Sequence, residues 1–377
     1  MNKPIKIFIS ALEYSANIHL SYLIQTLQKQ YGECHFYGIF DSKILGFSSN
    51  FSPNEFRIMG FSGVLKLIPR FFKIKKELIA LAKQCDIAIF MDSSSFNIPL
   101  LKALSGDLNK PYLVYYILPQ VWAWKAYRAK ILAQICDELW GILPFESAYY
   151  PKEANIAYVG HPLLDEIPFS REDRVDTGII AFMPGSRISE IKALFPIFKS
   201  LAKKLKALHK QPLLIAPKHF ENCDLSKIYG NLEDFSIVYD TYEGLAKCEF
   251  AFVCSGTATL ESTLLGIPTI LAYKARKLDY WIAKSLVKLN YIGLANIFLE
   301  FFYFGSPKDN KTPQNFPIHP EFLQDQVNPN TLFWAMQNYD YSKFFAQKKI
   351  LLEYLKNGSA KNCVQKIENF AKNMSKN

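Results

Sequence analysis

Gly178-Ile179-Ile180-Ala181-Phe182-Met183-Pro184-Gly185-Ser186-Arg187 is the stretch that decides the fold. A short apolar run ends in a Pro-Gly turn, and a helical pattern begins at once. Ile191, Leu194, Phe195, Phe198, Leu201, Leu205 and Leu208 recur every three or four residues, with lysines filling the opposite face. Strand, loop and helix in that order make the repeating unit of a parallel sheet. Its loop suits an anion. Gly185 lets the backbone approach closely, the helix start offers free N–H groups and a positive dipole end, and Ser186 can cap or donate. Arg187 can fork onto two phosphate oxygens. A plain tight turn bearing a surface arginine fits the same residues.

The same alternation extends in both directions. Downstream, strands are expected near Leu213–Ala216, Ser236–Tyr239, Phe250–Cys254 and Thr269–Tyr273. Upstream they are expected near Ile5–Ile9, His35–Ile39, Asp86–Met91, Tyr112–Leu118, Glu138–Ile142 and Ile156–Val159. The runs at 86–91 and 112–118 are almost wholly apolar, as strands covered on both faces must be. The charged, aperiodic stretch Asp165 to Thr177 reads as a linker. Two Rossmann-like domains follow, 1–165 and 176–340 with a cleft between them, and then a helical tail over 341–377. Ligands of such sheets bind beyond the carboxyl ends of the strands, so the loops after strands should carry the chemistry.

Ser255-Gly256-Thr257 repeats the anion-ready layout after the 250–254 strand, and Glu261 lies one turn further along the helix. A carboxylate there can accept both ribose hydroxyls of a nucleotide; alternatively it complements the helix dipole. Upstream, Glu13, Ser15 and Asn17 follow the first strand and suit either sugar hydroxyls or a helix cap. Asp92, at the end of the 86–91 strand, is a candidate base for a hydroxyl nucleophile or an N-cap. Ser95 and Asn97 share its loop. Trp122 and Trp124, on the loop after the fourth strand, suit a sugar ring or interdomain packing.

The 377 residues are half hydrophobic and carry a formal charge of +10. Residues 56–84 hold seven Lys/Arg against one Glu, interleaved with bulky apolar side chains. Val64, Leu65, Leu67, Ile68, Arg70, Phe71, Phe72 and Lys73 have the composition of a segment lying in a membrane interface, apolar groups down and cations at lipid phosphates. A core helix is the competing reading from about residue 74. No apolar run reaches the length of a spanning helix, and the N-terminus is too short in its apolar part for a secretory signal, so a cytoplasmic protein is expected. Seven scattered cysteines and six histidines show no metal-ligand spacing, and no metal is expected.

Ten motifs in order resemble the lipid-A-disaccharide synthases, glycosyltransferase family 19. They include Met59-Gly60-Phe61, Pro119-Gln120-Val121-Trp122-Ala123-Trp124, Leu143-Pro144-Phe145-Glu146, Gly160-His161-Pro162, Pro184-Gly185-Ser186-Arg187, Leu294-Ala295-Asn296-Ile297 and Pro320-Glu321-Phe322-Leu323-Gln324. The resemblance implies an α/β fold of GT-B type and an inverting, metal-independent transfer with no cofactor. It implies an acylated UDP-glucosamine donor, lipid X as acceptor and lipid A disaccharide 1-phosphate as product. The cytoplasmic face of a Gram-negative inner membrane is its implied location, and a homodimer its implied assembly. Asn296 and Gln324 match nucleotide-side positions. Three departures stand out: Ser95 where the family commonly has Asp, Asn17 where it has Asp, and Gly63 where Glu is common. They leave Asp92 as first choice of base and Glu13 as second. Rival readings are another GT-B enzyme acting on a UDP-sugar, an epimerase included, or a noncatalytic basic protein on nucleic acid. The last lacks any groove-reading motif.

Overall fold

The computed structural model describes residues 4–53, 64–274, 290–305 and 316–374 and, within the helix Val64–Ala82, side chains from residue 72 onward. The chain divides into two units, residues 1–166 with 355–377, and residues 167–354.

The first unit is built on a six-stranded parallel sheet of order β2-β1-β3-β4-β5-β6. Its strands are β1 (Ile5–Ser10), β2 (Cys34–Ile39), β3 (Ile87–Met91), β4 (Tyr112–Tyr116), β5 (Glu138–Gly141) and β6 (Ile156–Tyr158). Period-two alternation splits each strand between two cores. Ile7, Ile9, Ile87, Ile89 and Met91 pack with Leu20, Leu23 and Leu27 of the helix Tyr14–Gln30. Phe8, Ala88 and Phe90 face the other way, onto Ile74 and Leu78 of the helix Val64–Ala82 and Leu101 of the helix Ser94–Ser105. Both faces are covered, which is why β3 carries no polar side chain.

The second unit repeats this plan with order β12-β11-β10-β7-β8-β9. Here β7 is Ile179–Met183, β8 Gln211–Ile215, β9 Ser236–Val238, β10 Phe250–Cys254, β11 Thr269–Tyr273 and β12 Glu321–Leu323. The helix Ile188–Lys206 buries Ile191, Leu194, Phe195, Phe198, Leu201 and Leu205. Each such side chain contributes roughly 1.5–3 kcal/mol of transfer free energy before entropy is counted. Phe198 meets Phe182, which stacks on Phe252 with centroids 5.4 Å apart.

Two parts of the chain differ from the sequence expectation. The stretch read as a linker is anchored at its start. Asp165 Oδ2 accepts the backbone N–H groups of Ser359 (2.7 Å) and Ala360 (2.9 Å) and so holds the last helix on the first unit. Within the second unit, the Arg171 backbone N–H donates to Leu265, and its guanidinium to the carbonyls of Cys248 and Ala246. The tail is also shared out. The helix Tyr341–Leu355 lies almost wholly in the second unit, while Ala360–Met374 puts Cys363, Val364 and Ile367 into the core of the first.

Candidate active site

In the first unit β1 lies between β2 and β3, and β3 pairs with β4, so the loops leaving their carboxyl ends are neighbours. Asp92 follows β3 directly with φ +50°, a left-handed conformation that is strained for a side chain bearing a Cβ. Its backbone carbonyl accepts the Tyr115 hydroxyl from β4. Carboxylate Oδ2 accepts the backbone N–H of Glu13 at 3.1 Å, while Oδ1 is buried with no hydrogen-bond partner. Burial pushes the Asp92 carboxyl up to about 6; the Ser93 hydroxyl and the backbone N–H groups of Glu13 and Leu12 oppose it. A carboxylate poised there, with one oxygen open for a proton, has what a general base needs. Glu13 stands beside it, exposed at the start of the helix Tyr14–Gln30, with Ser15 exposed in the helix's first turn.

Several expected acceptor contacts turn out to hold the loops instead. Asn17 is fully buried; Nδ2 donates to Ala11 O (3.1 Å) and Glu13 O (2.8 Å), and Oδ1 accepts Asp41 N (2.7 Å). Asn97 is equally buried, its Oδ1 accepting Ser10 Oγ at 2.6 Å and its Nδ2 donating to Met91 O at 2.7 Å. An amide at these positions ties strand ends together, because loop backbone without a ladder needs side-chain partners. Trp122 is 9% exposed and packs edge-on against Phe145, whereas Trp124 is 46% exposed beneath Lys125. Trp124, not Trp122, is therefore the ring available to a ligand. Ser95 is exposed, and its Oγ accepts from Arg128 at 3.1 Å.

In the second unit β7 pairs with β10, Met183 opposite Val253, so the two glycine loops emerge side by side. Gly185 has φ +108°, and a Cβ there would lie 3.2 Å from Cys254 Sγ and 2.6 Å from Glu190 Oε2. Gly256 has φ +149°, open to glycine alone, yet a Cβ there would meet nothing within 4 Å. The backbone beside Ser255 and Thr257 is thus bare toward open space. Glu261 is half-buried one turn into the helix Thr257–Leu264.

Sequence reading overlooked Glu190. Its Oε2 accepts the backbone N–H groups of Ser186 (3.2 Å) and Arg187 (3.3 Å), and its Oε1 takes the Arg187 guanidinium at 2.7 Å. That bond raises the Arg187 pKa further above its ordinary value. The carboxylate does to this loop what a phosphate would do, so the donors expected for a ligand are engaged internally. The three-residue spacing from Arg187, that of a capping box, was the available signal.

Asn296 is also a correction. Fully buried, it donates to His319 O (3.0 Å) and Glu321 Oε1 (2.8 Å) and accepts Ile318 N (2.8 Å). Glu321 in turn accepts the N–H groups of Ile292 and Gly293 ahead of the helix Leu294–Phe304, and burial pushes its carboxyl up to about 7. Both residues build the helix start. Gln324 has φ +53° and a buried Nε2 without a partner, the pattern of a side chain waiting for a ligand. Of the expected membrane residues, Val64, Leu65, Leu67, Ile68, Arg70 and Phe71 lie outside the described side chains. Phe72 is 56% exposed, and Lys73 is exposed beside Glu77.

Two units on parallel six-stranded sheets, with chemistry gathered at strand ends, define the GT-B class of fold. Solved structures share it. The S. aureus MnaA–UDP co-structure matches with TM-score 0.59 at 12% identity, covering all of this chain and 97% of that one. Spinosyn rhamnosyltransferase SpnG matches with TM-score 0.54 at 12% identity over 97% and 100% of the two chains. A family model for lipid-A-disaccharide synthetase matches residues 7–330. The lipid-A-disaccharide synthase of Helicobacter pylori strain J99 is 45% identical over 96% of this chain and 97% of its own. That of Campylobacter jejuni strain RM1221 is 44% identical over 94% and 96%. The chain belongs to the lipid-A-disaccharide synthase family and is a glycosyltransferase.

Proposed function

We propose that this enzyme condenses UDP-2,3-diacylglucosamine with 2,3-diacylglucosamine 1-phosphate, giving the β-1′,6-linked disaccharide 1-phosphate and UDP. The acceptor's 6-hydroxyl oxygen bonds to the donor's anomeric carbon from the face opposite the diphosphate. Its proton passes to Asp92, and the bond to the diphosphate breaks with the electron pair leaving on UDP. Arg187 and the bare backbone around Gly256 are suited to stabilise that growing charge, so no divalent ion is required. Glu261 and Gln324 are assigned to the nucleoside. One observation supports the base assignment above others: Asp92 joins a buried open oxygen to a pKa of about 6 at a strand's carboxyl end. Near neutral pH it is mostly ionised, yet not so weak a base as an exposed carboxylate.

Among the described residues no helix is long and apolar enough to cross a membrane. Peripheral attachment to the cytoplasmic face of the inner membrane through the start of the helix Val64–Ala82 is part of the proposal, supported by the acyl chains of both substrates and the exposed Phe72. The decisive assay follows UDP release from purified protein, acylated donor and lipid X, with and without chelator. Chelator is expected to leave the rate unchanged. Among Asp92→Asn, Glu13→Gln and Ser95→Ala, the first should be the most damaging; near-normal turnover removes Asp92 from the mechanism.

A further inference from the structure

The first unit contains a buried cation for which the described residues supply no counter-ion. Arg128, in the helix Tyr127–Ile135, is only 8% exposed. Its Nη1 donates to Ser94 Oγ at 2.5 Å and its Nη2 to Ser95 Oγ at 3.1 Å, while the guanidinium lies 5.7 Å from the centre of the Trp124 ring. Among the described residues no carboxylate comes within ion-pair distance of it. A guanidinium cannot shed its proton at any pH the protein survives, so burial cannot be relieved by neutralisation. Buried charges are ordinarily paired because leaving one unpaired costs several kcal/mol. Two neutral hydroxyls orient this one but do not balance it. Five N–H donors are available and two are used, so a fork remains for an incoming anion.

Its position is as informative as its charge. Ser94 and Ser95 open the helix Ser94–Ser105, two and three residues beyond Asp92, so the serines that hold the cation follow the candidate base on one loop. The helix start adds free N–H groups of the sign an anion wants. Trp124, 46% exposed, supplies a flat apolar wall beside the guanidinium.

We propose that Arg128, oriented by Ser94 and Ser95, binds the phosphomonoester of the acceptor sugar and so places that sugar's hydroxyl at Asp92. The inference rests on the acceptor assigned above. In that acceptor the phosphate and the hydroxymethyl group sit on the two ring carbons flanking the ring oxygen. Short separation within the substrate thus suits a cation held by the two serines that follow Asp92. Arg128 is a binding and specificity residue here and takes no proton.

The test compares lipid X with its dephosphorylated form, 2,3-diacylglucosamine, as acceptors for wild type, Arg128→Gln and Arg128→Lys. Wild type should prefer the phosphorylated acceptor by about 10- to 100-fold in kcat/KM, the range of hydrogen bonds to a charged group. Arg128→Gln should lose that preference through the acceptor's KM while the donor's KM stays put, and Arg128→Lys should recover part of it. Undiminished preference in Arg128→Gln overturns the proposal. In parallel, glucosamine 1-phosphate at millimolar concentration is titrated calorimetrically into all three proteins, and their thermal melts are recorded. Binding to wild type that Arg128→Gln abolishes supports the anion subsite even if lipid X is not turned over, in which case the acceptor assignment alone fails. Equal binding to both, or none to wild type, overturns the subsite whatever the turnover. If Arg128→Gln does not fold, the folded Arg128→Lys protein decides by the same two measurements.

Discussion

Replacing Asp92 by Asn should make the protein more stable at neutral pH while removing its activity. The carboxyl is pushed from its ordinary 3.8 up to about 6, chiefly by burial, a difference worth about 3 kcal/mol between its neutral and ionised forms. The folded state prefers the neutral form. Stability from that preference is complete below pH about 3.8 and lost as pH rises through about 6. Asparagine stays neutral throughout and can still accept the Glu13 N–H, so the variant escapes the loss. Asp92 is not wholly sealed from water, and screening reduces the gain to about 1–2 kcal/mol. In a protein of this size that is about 2–8 °C in melting temperature. Calorimetric melts at pH 7.5 and pH 4.5 supply the reading, with the gap wide at the first and narrowed to roughly a third at the second. Turnover at pH 7.5 should fall by about 100- to 10,000-fold, the usual worth of a positioned base. Wild-type kcat/KM should climb with pH and level off above about 6. A variant that keeps its turnover, or a melting gap that does not change between the two pH values, refutes the assignment of a buried base.

Glu190→Gln should raise UDP affinity about threefold by calorimetry: the amide oxygen still accepts the loop N–H groups, but the negative charge facing the diphosphate is gone. A fall in affinity makes Glu190 a part of the binding surface and not a stand-in for the ligand. Asn296→Ala should lower stability by about 2–4 kcal/mol in urea melts, since it strands buried groups of Ile318, His319 and Glu321, yet leave UDP affinity within about threefold. Loss of UDP binding in a folded variant returns Asn296 to the nucleotide site. Serines at Leu67, Ile68, Phe71 and Phe72 should release the protein from anionic vesicles in sedimentation with its circular dichroism unchanged; unaltered co-sedimentation rejects the interfacial segment.

The strands were legible because parallel sheets covered on both faces leave an unmistakable mark. Ile87–Met91 and Phe250–Cys254 are apolar at every position, with turn residues or charges at their borders. The strand Glu321–Leu323 escaped notice: three residues at a sheet edge, led by a carboxylate that bonds to Ile292 and Gly293, carry no such mark. The linker misled for a different reason. Asp165 and Arg171 look solvated from local composition, but their partners stand 75 to 195 residues away, and a window of a dozen residues holds no trace of them.

The site divided along a similar line. Gly185, Gly256 and Asp92 were found because their backbone duties restrict residue type: positive φ or a strand's carboxyl end demands glycine or a small polar residue wherever the chain goes next. Asn17, Asn97 and Asn296 stand in the first turns of helices and look the same in sequence as ligand-binding residues. What separates them is direction. A loop that has left its sheet must satisfy its own backbone before it can offer anything to a ligand, and a buried amide with one carbonyl and two N–H bonds does that economically. Hence the polar residues of a strand-end loop fall into two populations, those turned inward to hold the loop and those turned outward to hold a substrate. Asp92 Oδ1 and Gln324 Nε2 can be told apart from the first population only because, buried as they are, nothing in the described fold satisfies them. Arg128 belongs with them by charge: its serine partners satisfy its geometry, and only an anion would satisfy its electrostatics.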